Sequence, residues 1–118
     1  MKKFLVLYLI PPSVMDEWMT TPPETRKSEE DKLSRDIQAW MSSRSRMFSD
    51  PGAGLGKTVR VTQGRSSDTR NALVMYAIVQ GESKEAVAKS FQDHPHLQIP
   101  ESSIEVMELF AMPDQARA

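Results

Sequence analysis

The two histidines of this 118-residue chain stand two positions apart, in the segment His94-Pro95-His96. Imidazole is the side chain that titrates near neutral pH, so acid–base chemistry by histidine must occur here. His94 continues a helical stripe with Val87 and Phe91, which predicts that its ring points into the space between a helix and a sheet. Two interpretations stay open: His94 is a general acid or base, or it is a hydrogen-bonded histidine at a helix end.

Two side chains are candidate catalytic partners of His94. Asp93 precedes it in the chain, and Tyr76 lies in an apolar segment typical of a strand. A carboxylate or a hydroxyl is the kind of group that orients a catalytic imidazole. Buried tyrosine hydroxyls seek hydrogen-bond partners, although most such tyrosines only fill the core. The candidate ligand contacts are His96, Tyr8 and Gly54.

A metal site receives little support from the spacing of ligands. His94 and His96 are close enough to chelate, but no third ligand is fixed by spacing, although Asp93 and Glu101 are near. The chain has no cysteine, which excludes thiolate metal sites, disulfides and cysteine nucleophiles. We expect neither a metal nor a cofactor.

The segment Pro51-Gly-Ala-Gly-Leu-Gly-Lys-Thr58 ends like a phosphate-binding P-loop. That motif needs a first glycine where this chain has Pro51, and it must follow a strand and open a helix. Here the segment follows a predicted helix and opens a predicted strand. We expect a glycine-rich turn and not a nucleotide site.

The charge balance argues against nucleic acid and anionic membranes as partners. Fifteen Lys and Arg residues oppose 16 acidic residues, a net charge of −1. The apolar run Phe4–Ile10 is too short to span a bilayer and lacks a signal-peptide cleavage pattern. We expect a cytoplasmic protein that binds neither membranes nor nucleic acid.

The hydrophobic pattern predicts six elements in the order strand, helix, strand, strand, helix, strand. A short helical turn near Val14–Met19 precedes the first main helix, which a capping box at Thr21–Glu24 would start. The six elements are expected at residues 4–10, 22–47, 58–62, 72–79, 83–94 and 104–110. This order predicts an α+β, ferredoxin-like βαββαβ fold with an antiparallel four-stranded sheet in the order 4-1-3-2.

The hydrophobic pattern of the strands agrees with that topology and also predicts that the chain forms an oligomer. The first and third strands are apolar at both odd and even positions, so both of their faces are apolar. The order 4-1-3-2 places these two strands in the middle of the sheet. Two helices cover one face only, so the other face needs a second cover. We expect a homodimer through this sheet face. Residues 1–112 form one domain in this interpretation, and 113–118 form a flexible tail.

Five segments, taken together and in order, carry a resemblance to a known family: residues 52–58, 76–80, 83–88, 94–97 and 104–108. Through these segments the chain resembles the YCII-related (DGPF-like) proteins over nearly its whole length. The resemblance implies a ferredoxin-like fold paired into a dimeric α+β barrel. It also implies small-molecule chemistry by a histidine in the first helix paired with an acidic residue before the proline that follows the second helix.

This chain departs from that catalytic pattern, because no histidine precedes His94 and His94 itself stands before Pro95. The implied acid–base pair therefore does not transfer intact. The sequence leaves two functions open: a protein that binds or transforms a small molecule between the sheet and the helices of a homodimer, or a non-catalytic ligand-binding or protein-interaction module.

Overall fold

A computed structural model describes residues 1–113 of the chain, and all but the first residue of the expected tail, 113–118, lies outside the described residues. Three α-helices and six strands follow one another. The strands are β1 (Lys2–Leu9), β2 (Phe48–Gly54), β3 (Thr58–Thr62), β4 (Arg65–Thr69), β5 (Leu73–Gly81) and β6 (Ser103–Glu108); the helices are α1 (Pro12–Trp18), α2 (Pro23–Ser43) and α3 (Lys84–Ser90). Short 3-10 helices follow at Ser45–Met47 and Pro95–Gln98.

The main sheet has four antiparallel strands in the order β2-β5-β1-β6. The two strands predicted to be central, now β1 and β5, do lie in the middle. Their registers place Phe4 opposite Val79 and Val6 opposite Ala77. These four side chains are buried on the helix side, so the expectation of an α+β fold with an antiparallel sheet is confirmed.

The identity of the second strand was predicted wrongly. The edge position beside β5 is occupied by β2, a segment whose Pro51, Gly52 and Gly54 indicate a turn from the sequence alone. Proline is tolerated on an edge strand because one side of that strand forms no ladder. Gly52 has φ +82°, and a β-carbon there would lie 1.6 Å from the Tyr76 carbonyl oxygen. Only glycine permits this approach of β2 to β5.

The predicted second strand, Thr58–Thr62, instead pairs with Arg65–Thr69 in a separate hairpin. The polar segment around Ser66, Ser67 and Asp68 therefore forms a strand and not the expected connection. Gly64 allows the tight reversal, since its φ is +78°. Polar composition indicated a loop because this strand has no buried side chains to reveal a period of two.

The helices follow the predicted stripes but differ at their ends. The expected capping box of α2 does not form, because Pro22 is the N-cap and no side chain caps the helix. α3 starts as predicted: the Ser83 hydroxyl accepts a hydrogen bond from the Ala86 amide at 3.1 Å. α3 ends at Ser90, before the expected end at His94. Within residues 1–113, no helix is long and apolar enough to cross a membrane.

The two faces of the main sheet differ in what covers them. Phe4, Val6, Tyr8, Ala77 and Val79 face the helices and form the core with Trp40, Val87 and Phe91. The alternate side chains point to the opposite, open face, which no helix covers among the described residues. Most open-face side chains of the inner strands are apolar, and Glu105 on β6 lies among them: Leu5, Leu7, Leu9, Tyr76, Ile78, Met107 and Glu105.

Candidate functional site

The His94 ring lies inside the layer between helices and sheet, as its helical stripe predicted. Only 1% of His94 is exposed. Its ring centroid lies 4.5 Å from that of Trp40 on α2 and 5.1 Å from that of Tyr8 on β1. Phe91 stacks on it at 5.9 Å with an interplanar angle of 9°. We call Tyr8, Trp40, Phe91 and His94 the aromatic cluster.

Local backbone geometry sets the direction of the His94 ring. His94 is extended, with φ −65° and ψ 134°, because the residue before a proline avoids the helical region. Its Nδ1 atom accepts a hydrogen bond from the His96 backbone amide at 2.9 Å. This contact caps the 3-10 helix that begins at Pro95. The ring is therefore held from its own loop as well as by the cluster.

That hydrogen bond assigns the tautomer of His94. A neutral imidazole carries one proton, and the nitrogen that accepts the amide cannot carry it. Nδ1 is the acceptor, so the proton resides on Nε2. His94 therefore offers an N–H donor to its surroundings and keeps its lone pair engaged.

Burial keeps both polar groups of the cluster neutral. Burial, with a smaller contribution from the nearby His96, lowers the pKa of His94 to about 4, and Asp93 opposes the shift. Burial also raises the pKa of Tyr8 to about 12. At neutral pH the pair is an uncharged imidazole and an uncharged phenol.

These two groups have no hydrogen-bond partner among the described residues: His94 Nε2 and the Tyr8 hydroxyl are both buried and unsatisfied. A buried polar group without a partner typically destabilises a fold by about 1–3 kcal/mol. Native structures rarely keep such groups, and those that remain often belong to functional sites. Two of them on contacting rings make the aromatic cluster the candidate site.

His96 is buried too, but its ring has a partner. Its Nε2 donates to the Leu9 carbonyl at 3.0 Å, which joins the 3-10 helix to the end of β1. Burial lowers the pKa of His96, and hydrogen bonds to the backbone of Leu9 and Ser103 oppose the shift. His96 thus anchors the loop that carries His94, and its ring lies 5.4 Å from Tyr8.

Asp93 makes contacts directed away from the His94 ring nitrogens. Its carboxylate accepts from Trp40 Nε1 at 3.0 Å and from Arg44 at 3.0 Å. The Trp40 hydrogen bond is the main cause of a lowered pKa of Asp93, and Arg44 adds to it. The Arg44 guanidinium also lies 4.4 Å from the Trp40 ring centroid. Asp93 therefore positions Trp40, one wall of the aromatic cluster.

Tyr76 and Gly54 lie apart from the aromatic cluster. Tyr76 pairs with Leu7 and points to the open face, opposite the face that holds Tyr8 and His94. Gly54 ends the edge strand β2 and is exposed. The structure thus brings Tyr8, His94, His96 and Asp93 together and leaves Tyr76 and Gly54 elsewhere.

Trp40 and Phe91 are cluster members that were not singled out as site residues. Both belong to apolar helical stripes, which is typical of core residues. The long-range contact of Trp40 with Asp93 has no signal in one sequence. Within residues 1–113, no three His, Asp or Glu side chains are grouped to hold a metal ion.

Two surface cavities lie near this region. A groove of about 140 Å³ runs between α3 and β6, and Phe91 is part of both its wall and the aromatic cluster. A larger cleft of about 300 Å³ lies at the carboxyl end of α2, lined by Ser43–Met47 and Ser90. Neither His94 nor Tyr8 lines the larger cleft. Neither residue lines the groove, and the groove approaches the unsatisfied pair only through Phe91, whose ring contacts both Tyr8 and His94.

Comparison with known proteins finds a match among solved structures. No family model matches the chain, and no curated protein matches it. The resemblance to YCII-related proteins therefore stays a prediction from the quoted segments. Among solved structures, 5-chloro-2-hydroxyhydroquinone dehydrochlorinase from Burkholderia phenoliruptrix AC1100, in complex with 2,5-dihydroxybenzoquinone, is similar at 15% identity and a TM-score of 0.49. The match covers 96% of this chain and 98% of that one.

Proposed function

We propose that this protein is a homodimer that binds a small molecule between its helices and its sheet, at Tyr8 and His94. The observation that carries the proposal is the pair of buried, unsatisfied polar groups on contacting rings. A ligand that hydrogen-bonds to both groups would remove the free-energy cost of leaving each of them buried without a partner. Binding sites of this kind are mainly apolar with a few placed polar groups.

The protonation of the pair selects the chemistry of the ligand. His94 presents an N–H, and the Tyr8 hydroxyl can donate as well, so both groups suit an acceptor oxygen. A carbonyl, a phenol or a carboxylate offers such an oxygen. A cationic ligand finds no negative charge in this pair, because burial keeps both groups neutral.

His94 is better suited to donate a hydrogen bond than to abstract a proton. Its one lone pair accepts the His96 amide at 2.9 Å. A general base needs a free lone pair and a pKa near the working pH. A neutral imidazole N–H can still polarise a bound carbonyl, which is the electrostatic form of catalysis. Ligand binding with polarisation of an oxygen is therefore the function that we propose.

Entry of the ligand is expected through the groove between α3 and β6. Phe91 separates this groove from Tyr8 and His94. A groove of about 140 Å³ suits only a compact ligand, since typical ligand pockets are about 300–1,000 Å³. Rotation of the Phe91 ring would join the groove to the pair.

We further propose that the open faces of two sheets pack together, in a ferredoxin-like subunit paired as an α+β barrel. Leu5, Leu7, Leu9 and Ile78 form an apolar surface on the uncovered side of the central strands. Contiguous apolar surface of this kind is unusual on a monomer. Two-fold pairing of sheets would bury it, as in other face-to-face packings.

The test of ligand binding is a thermal-shift screen with carboxylic acids, ketones and phenols of compact size. A native-state ligand at 100 times its Kd stabilises by about 2.7 kcal/mol, which raises Tm by about 10 °C in a domain of this size. Any active compound is then measured against Tyr8→Phe and His94→Asn. Asparagine can retain an acceptor for the His96 amide but lacks Nε2–H.

Tyr76→Phe is the matched control, because it removes a hydroxyl from the opposite face of the same sheet. We expect both site variants to lose most of the ligand shift and the control to keep it. Equal shifts in wild type and Tyr8→Phe would place the ligand elsewhere. A screen in which no acceptor compound raises Tm would remove the proposal.

A further inference from the structure

The hairpin β3–β4 carries apolar side chains that nothing else in residues 1–113 covers. Val59 is 58% exposed and Val61 is 78% exposed. They alternate along β3 and so share one face, together with their cross-strand neighbours Asp68 and Ser66. No residue of either hairpin strand is buried. A lone two-stranded hairpin is marginally stable in water unless it packs against something.

The base of the hairpin is nevertheless held in a defined direction. Arg70, just after β4, forms a bidentate ion pair with Asp16 on α1, at 2.9 and 3.1 Å. Asn71 donates to the Thr58 hydroxyl at 3.1 Å and accepts the Leu73 amide at 2.9 Å. These contacts connect both strands of the hairpin to the body of the protein, and they aim it outward.

The chain as a whole exposes more surface than a compact monomer. Its accessible surface is 8588 Å², whereas a compact monomer of 13.3 kDa exposes about 6,500 Å². Its radius of gyration is 16.5 Å, against about 13.5 Å expected for this length. The excess of about 2,000 Å² is comparable to what one subunit buries in an obligate dimer.

The open sheet face accounts for only part of this excess. Four strands at their usual spacing, six to nine residues long, cover about 500 Å². Exposed side chains outside the sheet face, among them those of α2 and of the hairpin, supply the rest of the excess. Other exposed apolar side chains lie at Met19 and at Leu109 and Phe110. The hairpin differs because it places two of them, Val59 and Val61, on one face of a strand pair, so it is the expected second contact.

We propose that the Val59–Val61 face of the hairpin packs against a second copy of this chain. The hairpin then acts as an arm that clasps the partner subunit, in addition to the sheet contact proposed above. In a two-fold dimer both arms make the same contact, so a substitution in the arm changes two contacts in each dimer. This inference concerns assembly and requires no ligand.

The first experiment replaces the apolar face of the arm in the full chain. Val59→Asp with Val61→Asp should raise the Kd of the homodimer by about 100-fold or more, measured by sedimentation equilibrium. The control is Thr62→Asp with Ser67→Asp, which adds the same charge to the opposite face. We expect the control to keep the wild-type Kd. An unchanged Kd in the Val59 and Val61 variant would overturn the arm.

The second experiment detects the proposed contact of the arm without altering Val59 or Val61. Because the chain has no cysteine, Ser66→Cys and Ser67→Cys each accept a single nitroxide label. Ser66 shares the face of Val61, and Ser67 shares the face of Arg60. As protein concentration rises through the Kd, the label at Ser66 should lose mobility in its electron paramagnetic resonance spectrum, while the label at Ser67 stays mobile.

These outcomes separate the arm from the sheet contact. If the labelled proteins form dimers but the label at Ser66 stays as mobile as the label at Ser67, the arm contact is refuted and the sheet contact still stands. A wild-type chain that stays monomeric at all concentrations would refute both contacts. Neither result bears on ligand binding at Tyr8 and His94.

Discussion

The indole Nε1–H of Trp40 donates a 3.0 Å hydrogen bond to the Asp93 carboxylate, which joins α2 to the segment after α3. Trp40 is buried, whereas the Asp93 side chain is 67% exposed. A surface carboxylate thus satisfies a core indole and fixes one wall of the aromatic cluster. This contact also explains why Asp93 lies beside His94 without bonding to its ring nitrogens.

Asp93→Ala is expected to destabilise the fold, because the buried Trp40 N–H loses its acceptor. We expect Tm to fall by several degrees. Asp93→Asn, which keeps an acceptor oxygen, should lose less. Trp40 fluorescence, recorded in a Trp18→Phe background, should report the looser packing. Equal Tm values for Asp93→Ala and wild type would contradict this structural role.

The buried histidines predict loss of stability in mild acid. The unfolded chain protonates His94 near pH 6.5, whereas the folded chain does so only near pH 4. In that window the unfolded state binds the extra proton, so stability present at pH 7 is lost as pH falls. Between pH 7 and pH 4.5, His94 alone contributes a loss of about 2 kcal/mol.

Urea unfolding at these two pH values measures this loss. His94→Asn should unfold with a smaller pH dependence, because the titrating ring is gone. His96, whose pKa is also lowered by burial, should supply the remaining dependence. The lowered pKa values of Asp16 and Asp93 act below this window. An unchanged pH dependence in His94→Asn would show that His94 is not buried as described.

Gly52→Ala should disrupt the edge of the sheet. The added β-carbon would lie 1.6 Å from the Tyr76 carbonyl oxygen at a backbone φ of +82°. We expect a loss of 3 kcal/mol or more, roughly, as judged from strain and broken pairing with β5. Gly56→Ala is the control, since no atom lies within 4 Å of a β-carbon built there.

Urea denaturation of the two glycine variants gives the comparison. The Gly56 variant should be as stable as wild type. Gly54→Ala should also be tolerated, because the nearest atom to its added carbon is 3.9 Å away. Ligand binding retained in Gly54→Ala would remove that glycine from the candidate contacts.

Leu7→Lys tests the open face of the sheet. Leu7 lies on central strand β1, opposite Tyr76 on β5 and Glu105 on β6. A lysine in the proposed sheet contact loses its hydration, and the neighbouring Glu105 offsets that cost only in part, so the dimer should shift toward monomer. Light scattering after size exclusion should show half the wild-type mass. A lysine variant that remains as dimeric as wild type would rule out this face.

Some features of the fold could be read from single residues and their spacing. Apolar residues at both parities predicted that Phe4–Ile10 and Ala72–Val79 contain the central strands, because only covered strands lack alternation. Ser83 predicted the start of α3 because its hydroxyl satisfies a free amide. The stripe of Val87, Phe91 and His94 also predicted the inward ring, but it assumed a helix through His94, whereas α3 ends at Ser90 and His94 is extended.

Other features depended on contacts between distant segments. Pro51 and Gly52 made β2 look like a turn, and only the approach of β5 explains why glycine is needed there. The sequence of β4 is polar and therefore indicated a loop. It is a strand because it pairs with β3, and its own composition does not reveal this pairing. In both cases the hydrogen bonds that make the segment a strand come from its partner strand, and the segment's own residues show no pattern that predicts this pairing.

The sequence by itself determined which strands are central and where α3 begins, since periodicity and capping are local properties. Tertiary structure alone decided that Leu7 and Tyr76 share the open face, that the Asp93 carboxylate accepts the Trp40 indole N–H, and that the Tyr8 hydroxyl is buried without a partner. The reason is physical: a local pattern specifies which side chains must be buried, but only packing specifies what each buried group meets.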